Sequence, residues 1–422
     1  MKHVVFVVGS YYPFFSAVGN CAEKVISKLK NEYDISVVSI KDDASLGKHE
    51  EFDDYNIYRV ENSYQKKLNR LDLKNNNNNP ITKIKFFKER LLNLITFLLR
   101  SKSVDPDLIN AYSSQLKTLN EKKKIDVVIP FVFPFESVLA AIKFKEDSGS
   151  EKCAIIPYLF DNFSESASLH RFNINRKIKY SQNQRLERLM LKHATKVFAM
   201  HPLRNHFDAT AAEAERAKIL YVEHPLLLNR ELAASQDVSD EINFTYTGGL
   251  FRGVRTANSC LSLLDKLSDA TPIKVNFYCF GNDLTAINKH SENKAKIFHN
   301  YRKVAREVAE QAIADADILI NIGDVEGKQL SSKIFDYLSM GKPIIHFAYV
   351  DNCVNTQLLK KYPLAHIVVQ TPNHQYSTQV IEDVVTFAKS VKGKVMAFSE
   401  VAKVYPEALP ATTASLFKQY ID

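Results

Sequence analysis

The sequence predicts an α/β protein made of two doubly wound domains. Short apolar runs alternate with stretches of helical periodicity, the pattern of strands buried on both faces and joined by crossover helices. The alternation lapses between Pro225 and Glu241 and then begins again. A chain of 422 residues also exceeds what one hydrophobic core usually serves. The expected boundaries are a first domain over 1–225, a second over 226–395, and a helical tail over 396–422 that returns to the first.

In chain order, Val4 to Val8 reads as a fully buried strand ending at Gly9. A helix from Cys21 to Lys30 follows, with Val25, Ile26 and Leu29 inward, then a strand from Ile35 to Ile40. Gly9 and Gly19 do not form GxGxxG, so a dinucleotide fingerprint is unsupported. Gly19 either lets a ligand approach the backbone or simply turns the chain. Residues 41 to 80 are polar, end in the asparagines Asn75 to Asn79, and read as a solvated, irregular insertion.

The next stretch differs sharply. Ile84, Phe87, Leu91, Leu94, Ile95 and Leu98 form a helical stripe, with Phe86, Leu92, Phe97 and Leu99 outside it. Lys83, Lys85, Lys88, Arg90, Arg100 and Lys102 stand among them against one acid, Glu89. Such a helix suits an anionic bilayer interface, and Lys83, Lys85, Phe86, Phe87, Lys88 and Arg90 are its candidate contacts. A long helix packed inside the first domain explains the same pattern, and one face can serve each role.

Strands are expected over Asp126 to Phe133, Cys153 to Phe160, Lys196 to Met200 and Lys218 to Val222. Helices are expected near Ser137 to Lys145, Asn175 to His193 and Ala211 to Ala217. Asp161 lies at the carboxyl end of its strand, where open α/β sheets place ligands; it suits a sugar hydroxyl, an acceptor proton or a helix cap.

The second series begins with a strand from Ile242 to Thr247 and the loop Gly248 to Arg255. Paired glycines open the backbone there, and Arg252 and Arg255 offer forks that match phosphate oxygens. Helices near Thr256 to Leu267 and Val304 to Ala314, and strands over Lys274 to Phe280 and Asp317 to Ile322, lead to the stretch Asn321 to Phe347. It reads as a strand end, a polar loop and a helix that Ser331 or Ser332 caps, with Lys333 and Asp336 in its first turns. Gly341 stops that helix, and Pro343 opens a strand from Ile344 to Phe347. From Thr378 onward the chain reads as helical.

The net charge of +8 is mild for this length and does not argue for nucleic acid. Five scattered cysteines without a CxxC or Cys/His cluster point to a reducing compartment without disulfides or structural zinc. Neither a signal peptide nor a membrane-spanning run of about 18 apolar residues is found.

Thr247 to Arg255 together with Ser332 to Ile345 resembles the family 4 type of GT-B glycosyltransferases, especially bacterial enzymes of capsule and exopolysaccharide synthesis. Tyr12-Pro13 and Gly19 fit their first loop, while residues 41 to 125 have no clear match. The resemblance implies two Rossmann-like domains facing a cleft, a nucleotide-sugar as co-substrate (UDP-linked), no cofactor, no metal, and a retaining transfer to a glycan or lipid-linked acceptor. With the reducing compartment that the cysteines indicate, the basic helix near residues 81 to 102 would hold a cytoplasmic protein peripherally at the inner face of the membrane, where lipid-linked acceptors are found.

On the resemblance, Arg252 and Arg255 are the candidate catalytic residues. Gly19, Gly248, Gly249, Ser331, Ser332, Lys333 and Asp336 are the candidate donor-binding residues, with Asp336 at the family's ribose carboxylate, where glutamate is usual. The family's further acid, eight residues earlier, is here Lys328, and its histidine after the strand ending at Phe160 is absent. Gly249 stands near the family's arginine, and Arg255 best matches its lysine. Two other readings stay open: a GT-B-shaped nucleotide-sugar epimerase, and a non-catalytic GT-B subunit.

Overall fold

Two units divide the chain, Met1–Pro225 with Pro410–Asp422, and Leu226–Leu409. The computed structural model describes residues 1–422 apart from Asp53, 74–79, Ser101, 167–172, 231–239 and Pro372. The expected asparagine run and most of the expected linker therefore lie outside the described residues.

The first unit opens with β1 (His3–Val7), α1 (Ala17–Leu29) and β2 (Asp34–Ile40). The helix starts earlier than its apolar pattern because Ser16 caps it, accepting from the Gly19 N–H at 3.0 Å. The described residues between 41 and 80 are not an irregular insertion. They hold β3 (His49–Phe52), β4 (Tyr55–Val60) and α2 (Ser63–Leu73), followed by α3 (Pro80–Leu99). The strand β4 extends the sheet because Arg59, buried, satisfies its charge on Glu50 at 2.8 Å and donates to the Tyr12 carbonyl at 2.8 Å.

Next come α4 (Pro106–Lys122), β5 (Val127–Val132) and α5 (Glu136–Ser148). The expected strand Cys153 to Phe160 is two short pieces, β6 (Ala154–Ile155) and β7 (Tyr158–Leu159), because Pro157 lacks the N–H a continuous ladder needs. The unit continues with α6 (Asn173–His193), β8 (Val197–Met200), α7 (Arg204–Thr210), α8 (Glu213–Arg216) and β9 (Ile219–Val222). The helix expected over Ala211 to Ala217 is thus only α8, since Ala211 is extended and ends α7.

The strand order is β3-β4-β2-β1-β5-β7-β8-β9, with β6 beside β5; every pairing is parallel except β3 with β4.

The second unit holds β10 (Ile242–Leu250), α9 (Asn258–Ala270), β11 (Ile273–Gly281), α10 (Thr285–Asn293), β12 (Phe298–Asn300) and α11 (Arg306–Asp315). It continues through β13 (Ile318–Ile322), α12 (Lys333–Ser339), β14 (Ile344–Ala348), α13 (Val354–Leu359), β15 (Ala365–Val369), α14 (Thr378–Val391) and α15 (Phe398–Val404). Its sheet is wholly parallel in the order β12-β11-β10-β13-β14-β15. A core of Phe244, Leu264, Phe277, Ile320 and Phe347, among others, is sealed from water.

The last helix, α16 (Pro410–Ile421), belongs to the first unit. Phe417 stacks on Phe198 at 4.2 Å, and the Lys2 ammonium donates to the Ile421 carbonyl at 2.6 Å. None of the described helices is long and apolar enough to cross a membrane.

Candidate functional site

The chain order in the second sheet reverses at β10: β11 and β12 lie on one side, β13 to β15 on the other. At such a switch point the loops after two neighbouring strands run apart and leave a crevice at their carboxyl ends. Here the crevice is deepened by register. β10 pairs with β11 all the way to Leu250, but with β13 only at Phe244 and Thr245. Beyond Thr245, helix α12 fills the gap: the Thr247 N–H donates to the Tyr337 hydroxyl at 3.1 Å, and Thr247 Oγ1 lies 3.2 Å from it.

Gly248 and Gly249 belong to β10 rather than to a loop, because β11 goes on pairing with them at Cys279 and Phe280. Their function in packing is clear at Gly248. A Cβ there would stand 3.0 Å from Cε of Lys333, so the lysine stem passes directly over this backbone.

The loop proper runs from Phe251 to Arg255 and closes on itself. Phe251 N–H donates to the Arg255 carbonyl at 3.0 Å, Arg255 N–H returns to Phe251 at 2.8 Å, and Gly253 takes φ of 77° at the tip. This closure separates the two arginines. Arg252 is exposed beside the tip, whereas Arg255 stands at the base, half-buried, with its Nε enclosed and without a hydrogen-bond partner.

The loop after β13 is built on Asp324, whose buried carboxylate accepts from the N–H groups of Glu326, Lys328 and Gln329 at 3.1 to 3.3 Å. The Val325 N–H donates to the Val254 carbonyl at 2.9 Å, tying the two loops together. Neither serine caps α12 with its side chain. Ser332 is helical at φ −57° and ψ −24°, which turns its hydroxyl away from the free amides, and the Ser331 N–H is taken by Asn355 Oδ1 at 3.0 Å.

Lys333 and Asp336 sit in the first turn of α12. Burial pushes the Lys333 pKa down, Asp336 opposes that, and the nearby Arg255 and Arg306 charges add to it. Burial likewise raises the Asp336 carboxyl, against the cations Arg230, Lys333 and Arg306. Asp336 is not a free carboxylate: Arg230 reaches its Oδ1 at 2.6 Å and Glu310 at 2.8 Å, and Arg306 also pairs with Glu310 at 2.9 Å. Asp336 Oδ2 is left for a further donor, and the side chain is 36% exposed.

Arg255 and Lys333 thus form a pair of like charges at the switch point. One has an unsatisfied donor and the other a depressed pKa. A diphosphate placed there would accept from both and relieve their repulsion.

Beneath these loops His346 of β14 is fully buried. Its Nδ1 lies 2.8 Å from Asn321 Nδ2 and 3.3 Å from the Asn321 carbonyl oxygen, and its Nε2 lies 3.5 Å from Cys353 Sγ. Burial, assisted by Arg255, lowers its pKa from 6.5 to about 4. A base held neutral in the fold but protonated in the unfolded chain costs stability on acidification. Stability is therefore expected to be intact above pH 6.5 and to fall as pH drops from there through about 4. Melting temperatures of wild type and His346→Gln across this range check it: the variant should lose much of the dependence, and parallel curves would contradict it.

Gly19 and Asp161 belong to the first unit. Gly19 lies inside α1, and a Cβ there would meet the Ser10 carbonyl oxygen at 2.2 Å. The glycine is therefore required by the protein's own backbone. Asp161 is exposed after β7. Its neighbourhood holds a histidine that sequence order hides: His224, following β9, lies 5.6 Å ring-to-ring from Phe160 and pairs through Nδ1 with Glu223 at 2.9 Å.

Lys83, Lys85, Phe87, Lys88 and Arg90 are exposed on α3, and Phe86 is half-buried beneath the Arg90 guanidinium, 4.5 Å from the ring centroid. Of the expected stripe, Ile84, Phe87, Leu91 and Ile95 are exposed, while Leu94 and Leu98 are half-buried. Arg230 and His346, like His224, were not among the residues expected from sequence; Arg230 in particular lies 106 residues from Asp336, the carboxylate it pairs with.

No family model and no curated protein matches the chain. Solved structures do. The chain is similar to sucrose-phosphate synthase from Thermosynechococcus elongatus at 11% identity, covering 100% of this chain and 99% of that one, with a TM-score of 0.58. It is similar to the catalytic domain of starch synthase IV from Arabidopsis thaliana, bound to ADP and acarbose, at 9% identity over 100% and 98% of the two chains, TM-score 0.58. A Listeria monocytogenes protein assigned as a UDP-N-acetylglucosamine 2-epimerase matches at 9% identity over 100% and 97%, TM-score 0.51. At such identities the likeness shows the fold alone: the chain has the two Rossmann-like domains that GT-B glycosyltransferases and sugar epimerases share.

Proposed function

We propose that the protein is a glycosyltransferase that moves a sugar from a nucleotide-sugar, UDP-linked, to a glycan or lipid-linked acceptor in bacterial surface polysaccharide synthesis. One observation carries the reading: Arg255, with a buried and unsatisfied guanidinium nitrogen, stands beside the Lys333 ammonium at the switch point of the second sheet. Preorganised cations are what a leaving diphosphate needs, because charge develops on it as the glycosidic bond breaks. The glycine at 248 supports the reading by leaving room for the lysine stem.

In this reading Asp336 takes one ribose hydroxyl through the oxygen that Arg230 leaves open, and Arg252 lies at the rim. Asp161 and Gly19 remain proposed sugar or donor contacts of the first unit. Transfer proceeds with retention and without a metal, at the cytoplasmic face of the membrane.

The test is to incubate the purified protein with a panel of nucleotide-sugars, following nucleotide release with and without membrane extract. Release that depends on the extract supports transfer. An epimerised sugar without release would replace transfer by isomerisation, and binding without turnover would leave a non-catalytic subunit. Absence of binding to any uridine or guanosine diphosphate would overturn the reading altogether.

A further inference from the structure

A cavity of about 790 Å³ lies in the first unit beside α3. Its apolar wall is Phe87, Leu91, Leu94 and Phe97, and its cations are Arg90 and Arg100. The volume falls within the range of ligand pockets.

Its place in the fold is informative. Asn62 follows β4, Glu136 opens α5 directly after β5, and Asp105 and Leu108 begin α4; all three positions mark the carboxyl edge of the first sheet. Open α/β sheets take their ligands along that edge. At the other end, Phe87 and Leu91 belong both to the cavity wall and to an unpartnered stripe that includes Ile84, Ile95 and Leu99, each at least 43% exposed. The cavity therefore joins the sheet's ligand edge to an exposed apolar helix face.

The exposed charges on the α3 face beside it are mostly positive. Lys83, Lys85, Lys88 and Arg90 are exposed, and the only acid on this helix, Glu89, is taken by Lys67 at 3.6 Å. Inside, the acids are already engaged: Asp105 pairs with Arg100 at 3.0 Å and accepts from Asn62 Nδ2 at 2.6 Å, and Glu136 accepts from the Asp105 N–H at 2.6 Å. Burial raises the Glu136 carboxyl to about 7, which weakens its opposition to an incoming anion near neutral pH. Arg90 has no ion-pair partner among the described residues and only covers the Phe86 ring.

We infer that this cavity binds one long-chain lipid carrying a phosphate head, its hydrocarbon lying along Phe87, Leu91 and Leu94 and its head reaching Arg90. The inference rests on the transferase reading in one respect, that such a lipid is the acceptor's carrier. Its chemistry is separate: a long chain needs the apolar wall, a phosphate needs the unpaired arginine, and neither need is met by a free sugar.

The experiment titrates the full chain with a fluorescent isoprenyl monophosphate kept below its micelle-forming concentration. The expected result is saturable binding of one lipid per chain, competed by unlabelled lipid phosphate but not by inorganic phosphate or by the alcohol of the same chain. Arg90→Glu and Leu91→Asp, both at exposed positions, should each weaken binding about tenfold or more while the melting temperature stays unchanged.

Equal binding by wild type and both variants would overturn the inference. So would attachment to any anionic vesicle with no preference for the lipid phosphate, which would make the helix a membrane contact only. A dimer that Leu91→Asp dissociates, without an effect on lipid, would assign the stripe to a second copy of the chain. Uridine diphosphate binding, measured in parallel, separates the two claims. Nucleotide bound with no lipid bound sinks the cavity alone, and lipid bound with no nucleotide bound sinks the transferase reading alone.

Discussion

Replacing Arg255 with alanine is expected to lower kcat about a hundredfold or more, a loss of about 3 kcal/mol of transition-state stabilisation. The expectation follows from where the guanidinium sits. Its Nε is enclosed at the base of the Phe251–Arg255 turn without a hydrogen-bond partner, while the guanidinium also interacts with the Tyr246 hydroxyl. Removing it leaves Lys333 to meet the phosphate, with its own pKa already lowered by burial. Arg252→Ala provides the contrast. That residue is exposed at the rim, where screening leaves a charge worth far less, and a change of only a few fold is expected. Equal losses for the two variants, or an unchanged rate for Arg255→Ala, would show that the phosphate lies elsewhere.

Gly341→Ala is expected to lower the melting temperature of the second unit by about 5–15 °C. Gly341 ends α12 with φ of 64°, a conformation that costs an L-residue about 1–2 kcal/mol. The larger cost is steric. A Cβ would lie 2.0 Å from the Met396 carbonyl oxygen, and the segment cannot retreat freely because the Met396 N–H donates to the Gly341 carbonyl at 2.8 Å. Overpacking of that kind adds about 1–3 kcal/mol. Gly253→Ala isolates the first term, since it has φ of 77° but nothing within 4 Å of a new Cβ. A calorimetric scan in which both variants melt alike would remove the steric argument.

The two doubly wound sheets were legible because strands buried on both faces read as unbroken apolar runs, as in Val4 to Val7 and Ile318 to Ile320. The strands missed were of another kind. His49–Phe52 alternates between exposed and half-buried residues, and β4 carries a buried arginine whose partners, Glu50 and Tyr12, lie outside it. Gly248 and Gly249 read as a loop because glycine weakens a strand locally. They remain in β10 because β11 supplies the pairing, and register is not a local property.

The candidate site was legible in part for the same reason. Lys333 and Asp336 could be placed on one helix turn from spacing alone. The ion pair that occupies Asp336 could not, since Arg230 is 106 residues away and lies just before residues outside the described set.

The placement of α16 has a consequence for the order in which the protein can assemble. Its residues complete the first unit, yet they leave the ribosome only after the whole of 226–409 has been made. The second unit is thus an insertion whose ends are drawn together, with the Leu227 N–H donating to the Ala408 carbonyl at 3.0 Å. It can close as a finished body during synthesis, while the earlier-made unit still lacks the phenylalanine that stacks on Phe198. Synthesis and completion therefore run in opposite order: the unit that emerges first is the last to bury its core.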